Sequence, residues 1–149
     1  MNQIEKLKKE NEKLRMLLSD KVMEDSPITD SYRIAHIYIN KLALEKQEYF
    51  YCVLLDNKHN IVDEVMVSKG ILNRSLVHPR EVFAPAIEQR CAAIILVHNH
   101  PSGCTKPSTQ DIDITKRMVS SGEILGIKVL DHIVVSHLGF YSFNDEGLI

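Results

Sequence analysis

Cysteine is scarce in this chain. Cys52, Cys91 and Cys104 are odd in number and widely spaced, which suits neither a disulfide framework nor a C-x-x-C zinc or redox motif, so reduced thiols are expected. Glycine and proline are also few, 6 and 5 in 149 residues, and this excludes fibrous and low-complexity architectures. No apolar run approaches the ~20 residues that a membrane helix needs, and the opening MNQIEKLKKE lacks the apolar core of a signal peptide. A soluble, cytoplasmic protein without a membrane partner is expected. An excess of charge is missing too: 18 Lys and Arg face 20 Asp and Glu, for a formal charge of -2. Strong, sequence-independent binding of nucleic acid draws on Lys and Arg neutralising phosphates, so the balance argues against it and leaves room only for a local basic patch.

What is present is a globular composition, 44% hydrophobic and 26% charged, at a length that suits one domain. Ile4, Leu7, Asn11, Leu14 and Leu18 recur in steps of three and four with no Gly or Pro before Pro27, a heptad seam with Asn11 at an a position. Glu10 then falls at g and Arg15 at the following e, an attractive combination between two parallel chains. The segment is read either as a helix that makes a homodimer or as a single amphipathic helix lying on the domain. A polar stretch from Ser19 to Pro27 reads as a hinge, which divides the chain into a helix over 1–20, a linker over 21–28 and a domain over 29–149.

Within the domain, the spacing of Ile34, Ile37, Tyr38, Lys41 and Leu42 predicts a helix capped by Asp30 or Ser31. Aromatic and β-branched runs at 49–55 and 61–67, joined by DNKHN, predict a hairpin. Pro79 opens a helical stretch over 79–90 that Pro85 interrupts. The run AAIILV at 92–97 does not alternate and predicts a central strand covered on both faces. A helix over 108–121 ended by Gly122, then strands at 128–136 and 140–143, complete a mixed α/β sheet with helices against it.

Directly after the central strand comes HNHPSGCTKPSTQD. His98 and His100 lie two apart at a strand end and so project to one side, where both imidazoles can reach one ion. The PSG turn reverses the chain and lets the next helix bring Asp111 back as an oxygen ligand. Two His and one carboxylate leave a tetrahedral Zn2+ one open position, the arrangement of a catalytic site. Ser108 and Asp111 also read as an S-x-x-D capping box, which needs no metal.

These residues resemble the JAMM signature of the JAB/MPN metalloprotease superfamily, and in detail its RadC-like branch. The LLD before the hairpin turn, Gly70 with Leu72 and Asn73, the HPRE segment at 78–81 and the Asp131-His132 pair match that branch as well. The resemblance runs from about residue 30 to the C-terminus. It implies a three-layer mixed β-sheet with flanking helices, the cytidine-deaminase-like JAB/MPN fold, with the heptad helix added in front. It further implies one Zn2+ per chain on His98, His100 and Asp111, with Ser108 holding or polarising the tetrahedral intermediate. An upstream glutamate would act as general base, and Glu48, fifty positions before His98, is the candidate. Glu81 is its rival, in a helical first turn where acidic residues are favoured anyway.

His78 and Arg80 are read as possible orienting groups or surface partners, His132 as a satisfied core histidine in preference to a group supporting the metal ligands, and His36, His59 and His137 are given no role. Cys104 and Thr105 depart from the Asp-Pro pair that usually follows HNHPSG in the branch, and Cys104 is read as a loop residue. The function implied is zinc-dependent hydrolysis of peptide or isopeptide bonds in a protein substrate, in a family tied by name to DNA repair. The alternative is a non-enzymatic, zinc-containing accessory protein of DNA repair or a mobile element. Zinc-dependent nuclease action is opposed by the near-neutral charge.

Overall fold

The computed structural model describes residues 2–24, 27–70 and 77–149, with side chains described outside 15–24. Leu72 and Asn73 therefore lie outside the described residues, as do the side chains of Arg15 and Leu18.

The first helix, α1 (Gln3–Glu24), runs four residues past the expected boundary at 20. The stretch Lys21 to Glu24, expected in the linker, contains no helix breaker, and the next proline is Pro27. Residues 2–14 are exposed throughout, and α1 touches α2 (Ser31–Leu42). The latter is capped by the Asp30 side chain, which accepts the Arg33 N–H at 3.1 Å. Its apolar stripe, Ile34, Ala35, Ile37, Tyr38 and Leu42, is buried.

β1 (Tyr49–Leu55) and β2 (Ile61–Lys69) form the expected antiparallel hairpin. After α3 (Pro79–Glu88) comes β3 (Ala93–Asn99), then α4 (Thr109–Leu125), β4 (Lys128–Ser136) and β5 (Gly139–Ser142). The strands make one five-stranded sheet in the order β2-β1-β3-β4-β5. Only β3 and β4 run parallel within it, as a crossover through α4 requires. All seven residues of β3 are buried, which accounts for its unbroken apolar run.

Two apolar layers flank the sheet. Phe50, Cys52, Leu54, Ile94 and Leu96 pack with Ile114 and Met118 on the α3/α4 side. Val53, Leu55, Ile95, Val97 and Ile133 pack with Ile34 and Tyr38 on the α2 side. The period-2 alternation of β3 thus assigns its even-numbered residues to α4 and its odd-numbered ones to α2.

β4 breaks that rule once. Ile94 pairs with Val129 but Ile95 pairs with Asp131, so Leu130 is an extra residue, a bulge in the parallel ladder. Val129 faces the α3/α4 layer and Ile133 and Val135 face the α2 layer although all three are odd-numbered. The bulge therefore turns His132, opposite Leu96, onto the α4 side.

Gly122 does not end α4 as expected; it lies inside the helix, where a Cβ would stand 2.3 Å from the Ile127 carbonyl oxygen. The helix ends at Gly126, whose φ of 72 is the left-handed cap.

Candidate metal centre

His98 is the last even-numbered position of β3 and is fully buried on the α4 side, stacked on Phe50 at 5.9 Å between ring centroids. His100 follows just past the strand, and its N–H donates to the Val135 carbonyl at 2.9 Å. The chain then turns at Gly103, with φ of +95; a Cβ there would lie 3.0 Å from His137 and 3.2 Å from Leu138. The backbone angle calls for glycine. The return brings the chain to Ser108, the N-cap of α4, in a complete capping box. The Ser108 Oγ accepts the Asp111 N–H at 3.0 Å, and the Asp111 Oδ2 accepts the Ser108 N–H at 2.8 Å. The box does not compete with a metal site. It fixes the Asp111 rotamer and leaves the carboxylate facing the histidines.

His98 Nε2 lies 3.0 Å from His100 Nε2 and 3.2 Å from Asp111 Oδ1, and His100 Nε2 lies 3.2 Å from Asp111 Oδ2. One ligand atom from each of the three residues falls within 4.8 Å of the others. His100 Nδ1 faces the Cys104 carbonyl at 2.8 Å, and a carbonyl only accepts, so this nitrogen carries the proton and Nε2 of the neutral ring presents a lone pair. His98 Nδ1 is occupied by His132 Nε2 at 2.7 Å, which again leaves Nε2 facing the centre. Two ring nitrogens and an ionised carboxylate converging on one point form a set of acceptors that a divalent cation satisfies.

The electrostatics agree. Burial alone would raise the Asp111 carboxyl, but hydrogen bonds from the His100 ring and the Ser108 N–H oppose it, and the group is held far below the ordinary carboxylate range. His100 is raised above its ordinary value, first by its hydrogen bond to Asp111 and against the effect of burial. A proton and a cation compete for the same place. His132 is pushed well down by burial and stays neutral.

Glu48 stands one residue before β1 and, with His100, Ser108 and Asp111, lines a cleft of about 320 Å³. Asn99, on the opposite face of β3 from the two histidines, holds that segment. Its Oδ1 accepts the Tyr49 N–H at 2.6 Å and its Nδ2 donates to the Gln47 carbonyl at 2.9 Å, one bond on each side of Glu48. Glu81 is exposed in the first turn of α3, beside Arg80 at 3.6 Å, and does not line the cleft. His78 caps α3 by accepting the Arg80 N–H at 3.1 Å. The contact between Cys104 and the site is its carbonyl on His100, and the residue is exposed. Sequence reasoning passed over Asn99 and Thr115, and for His132 it preferred a core role to one supporting the metal ligands. His132 is indeed buried, but it touches His98, and only the bulge at Leu130, which leaves no mark in the sequence, puts it there.

Residues 28–148 match the family model described as the RadC-like JAB domain. The chain belongs to this family. Similar curated proteins include a UPF0758 protein of Trichlorobacter lovleyi, 47% identical over 121 residues (81% of this chain, 53% of the relative). Another, from Geotalea uraniireducens, is 54% identical over 104 residues (70% and 46%). The relative from Clostridioides difficile is 43% identical over 122 residues (82% and 52%). The chain spans about half the length of these curated relatives. Family membership accounts for the mixed sheet with flanking helices, and the family match covers the whole His-His-Asp cluster while leaving out all of α1. No helix among the described residues is long and apolar enough to cross a membrane.

Proposed function

We propose that this RadC-like domain is a zinc-dependent hydrolase that cuts peptide or isopeptide bonds, and that α1 pairs two chains. The observation that carries the first part is the convergence of His98 Nε2, His100 Nε2 and the Asp111 carboxylate at a cleft that Glu48 and Ser108 also line. His98, His100 and Asp111 would hold the ion. When bound, a divalent ion supplies Lewis acidity, which lowers the pKa of a water toward ~7 and polarises a carbonyl. Glu48 takes the proton that an attacking water gives up and returns it to the departing nitrogen. Ser108 Oγ accepts from the Asp111 N–H, which leaves its own O–H to donate to the substrate oxygen on which charge develops. Two imidazoles and one carboxylate with a position left open are a donor set that catalytic zinc uses.

Elemental analysis of the purified wild type beside His100→Ala and Asp111→Ala tests the site. The expected result is close to one zinc per chain in the wild type and its loss from both variants. A wild type that carries no metal and takes up none when zinc is supplied overturns the reading. Hydrolysis is then tested on peptide and isopeptide substrates; a zinc-loaded wild type that cleaves none of them points instead to a non-enzymatic accessory protein.

A further inference from the structure

The inner nitrogens of the metal cluster lead away from it along a chain of polar groups that ends on a backbone carbonyl. His98 Nδ1 meets His132 Nε2 at 2.7 Å, His132 Nδ1 meets Thr115 Oγ1 at 2.5 Å, and Thr115 Oγ1 meets the Asp111 carbonyl oxygen at 2.7 Å. Every side chain in it is buried: His98 and His132 at 0% exposure and Thr115 at 2%.

The far end of this chain sets its polarity. A carbonyl oxygen has no proton to give, so the Thr115 hydroxyl donates to it; the reverse would set two oxygen lone pairs against each other. Thr115 Oγ1 can then only accept from His132, which places the imidazole proton of His132 on Nδ1 and a lone pair on Nε2. That lone pair accepts from His98, which places the proton of His98 on Nδ1. His98 Nε2 is left unprotonated, pointing at His100 and Asp111. Because every group has one admissible role, a single hydroxyl one turn along α4 from Asp111 fixes the tautomer of a histidine on β3.

We infer that Thr115 and His132 are positioning residues that hold the His98 proton at Nδ1 and so present a bare Nε2 to the metal. The inference rests on the metal-centre reading given above. It is supported independently by the Leu130 bulge, without which the alternation of β4 would turn His132 to the α2 side, away from His98. The same chain ties together the two elements that carry ligands: β3 through His98, and α4 through the Asp111 carbonyl.

Thr115→Val keeps the shape of the side chain and removes the hydroxyl. His132 is then free to move its proton to Nε2, which drives the His98 proton to its own Nε2, where it blocks the ion. Zinc affinity, measured by competition with a chromophoric chelator, is expected to fall about 10- to 100-fold in Thr115→Val. Thr115→Ser, which restores the hydroxyl, is expected to restore it. Heteronuclear NMR of the imidazole rings in the metal-free wild type is expected to find both His98 and His132 protonated at Nδ1. A proton on His132 Nε2 in the wild type overturns the inference, as does a folded Thr115→Val that binds zinc as tightly as the wild type, or a folded Thr115→Ser that does not recover. Should Thr115→Val fail to fold, the wild-type tautomers decide alone. Should the wild type take up no zinc, the metal reading fails, and the tautomers still decide the polarity of the chain.

Discussion

Glu48 and His100 answer different questions about the same cleft. Glu48 lines it without joining the metal-ligating set, so Glu48→Gln should retain full zinc content while hydrolysis of a cleaved substrate falls about 10²- to 10⁴-fold, the usual worth of a positioned base. Loss of zinc together with activity would show that Glu48 holds the ion rather than the proton. On the proposed reading, a proton on His100 competes with the metal. Its raised pKa means that metal-free protein gains stability from the protonated His100–Asp111 pair below the unfolded value near 6.5, and loses it as pH rises through the folded value. Zinc binding has the opposite slope, because the ion displaces that proton. Calorimetry in buffers of different ionisation enthalpy should therefore find more protons released per zinc at about pH 6 than at about pH 8, and weaker binding at the lower pH. A pH-independent affinity over that range would mean that His100 is not a ligand.

Two glycines in one helix separate what a sequence reveals about an element from what it hides. Gly126 adopts the left-handed cap with nothing near its absent side chain, so Gly126→Ala is expected to cost about 1 kcal/mol, for the backbone alone. Gly122 has ordinary helical geometry, where alanine would normally stabilise, yet a Cβ would stand 2.3 Å from the Ile127 carbonyl. Gly122→Ala should therefore destabilise the domain by about 1–3 kcal/mol in urea unfolding, and a neutral or stabilising result would refute the close approach. The sequence pattern alone points to Gly122 as a helix stop, because a glycine needed for close packing and a glycine needed for a positive φ look alike. Other elements were legible for sound reasons. Asp30 caps α2 and Ser108 caps α4 because such caps depend on local chemistry. β3 was legible because burial on both faces removes alternation. The clustering of His98, His100 and Asp111 was legible because the two histidines sit at a strand end and Asp111 at a helix start, where short-range spacing fixes direction. His132 was not, since its orientation depends on a bulge, and Thr115 was not, since its partner is seventeen residues away.

For the molecule as a whole, α1 stands outside the region that matches the family, and its 22 residues extend about 33 Å. Ile4, Leu7 and Leu14 are 65%, 53% and 58% exposed along one seam, and burying such a stripe against a second copy is what a heptad pattern achieves. For the pair proposed here, the register favours the parallel arrangement. It sets Asn11 against its own counterpart, where two amides can bond each other, and Glu10 at g against Arg15 at the following e. An antiparallel pair would instead bring the e residues Lys8 and Arg15 together as like charges and leave Asn11 opposite an apolar position. Because the seam is short, the association should be weak and concentration-dependent. Sedimentation equilibrium over a concentration series is expected to resolve monomer and dimer for the wild type and monomer alone for Leu7→Glu/Leu14→Glu. That double variant lies far from the metal centre in sequence and on exposed helix surface, so its zinc content should be unchanged. Asn11→Leu should tighten the association while losing the parallel preference, read as cross-linking between N-terminal cysteines added to separate copies. A wild type that is monomeric at every concentration would assign the exposed stripe to something other than a second copy of this chain.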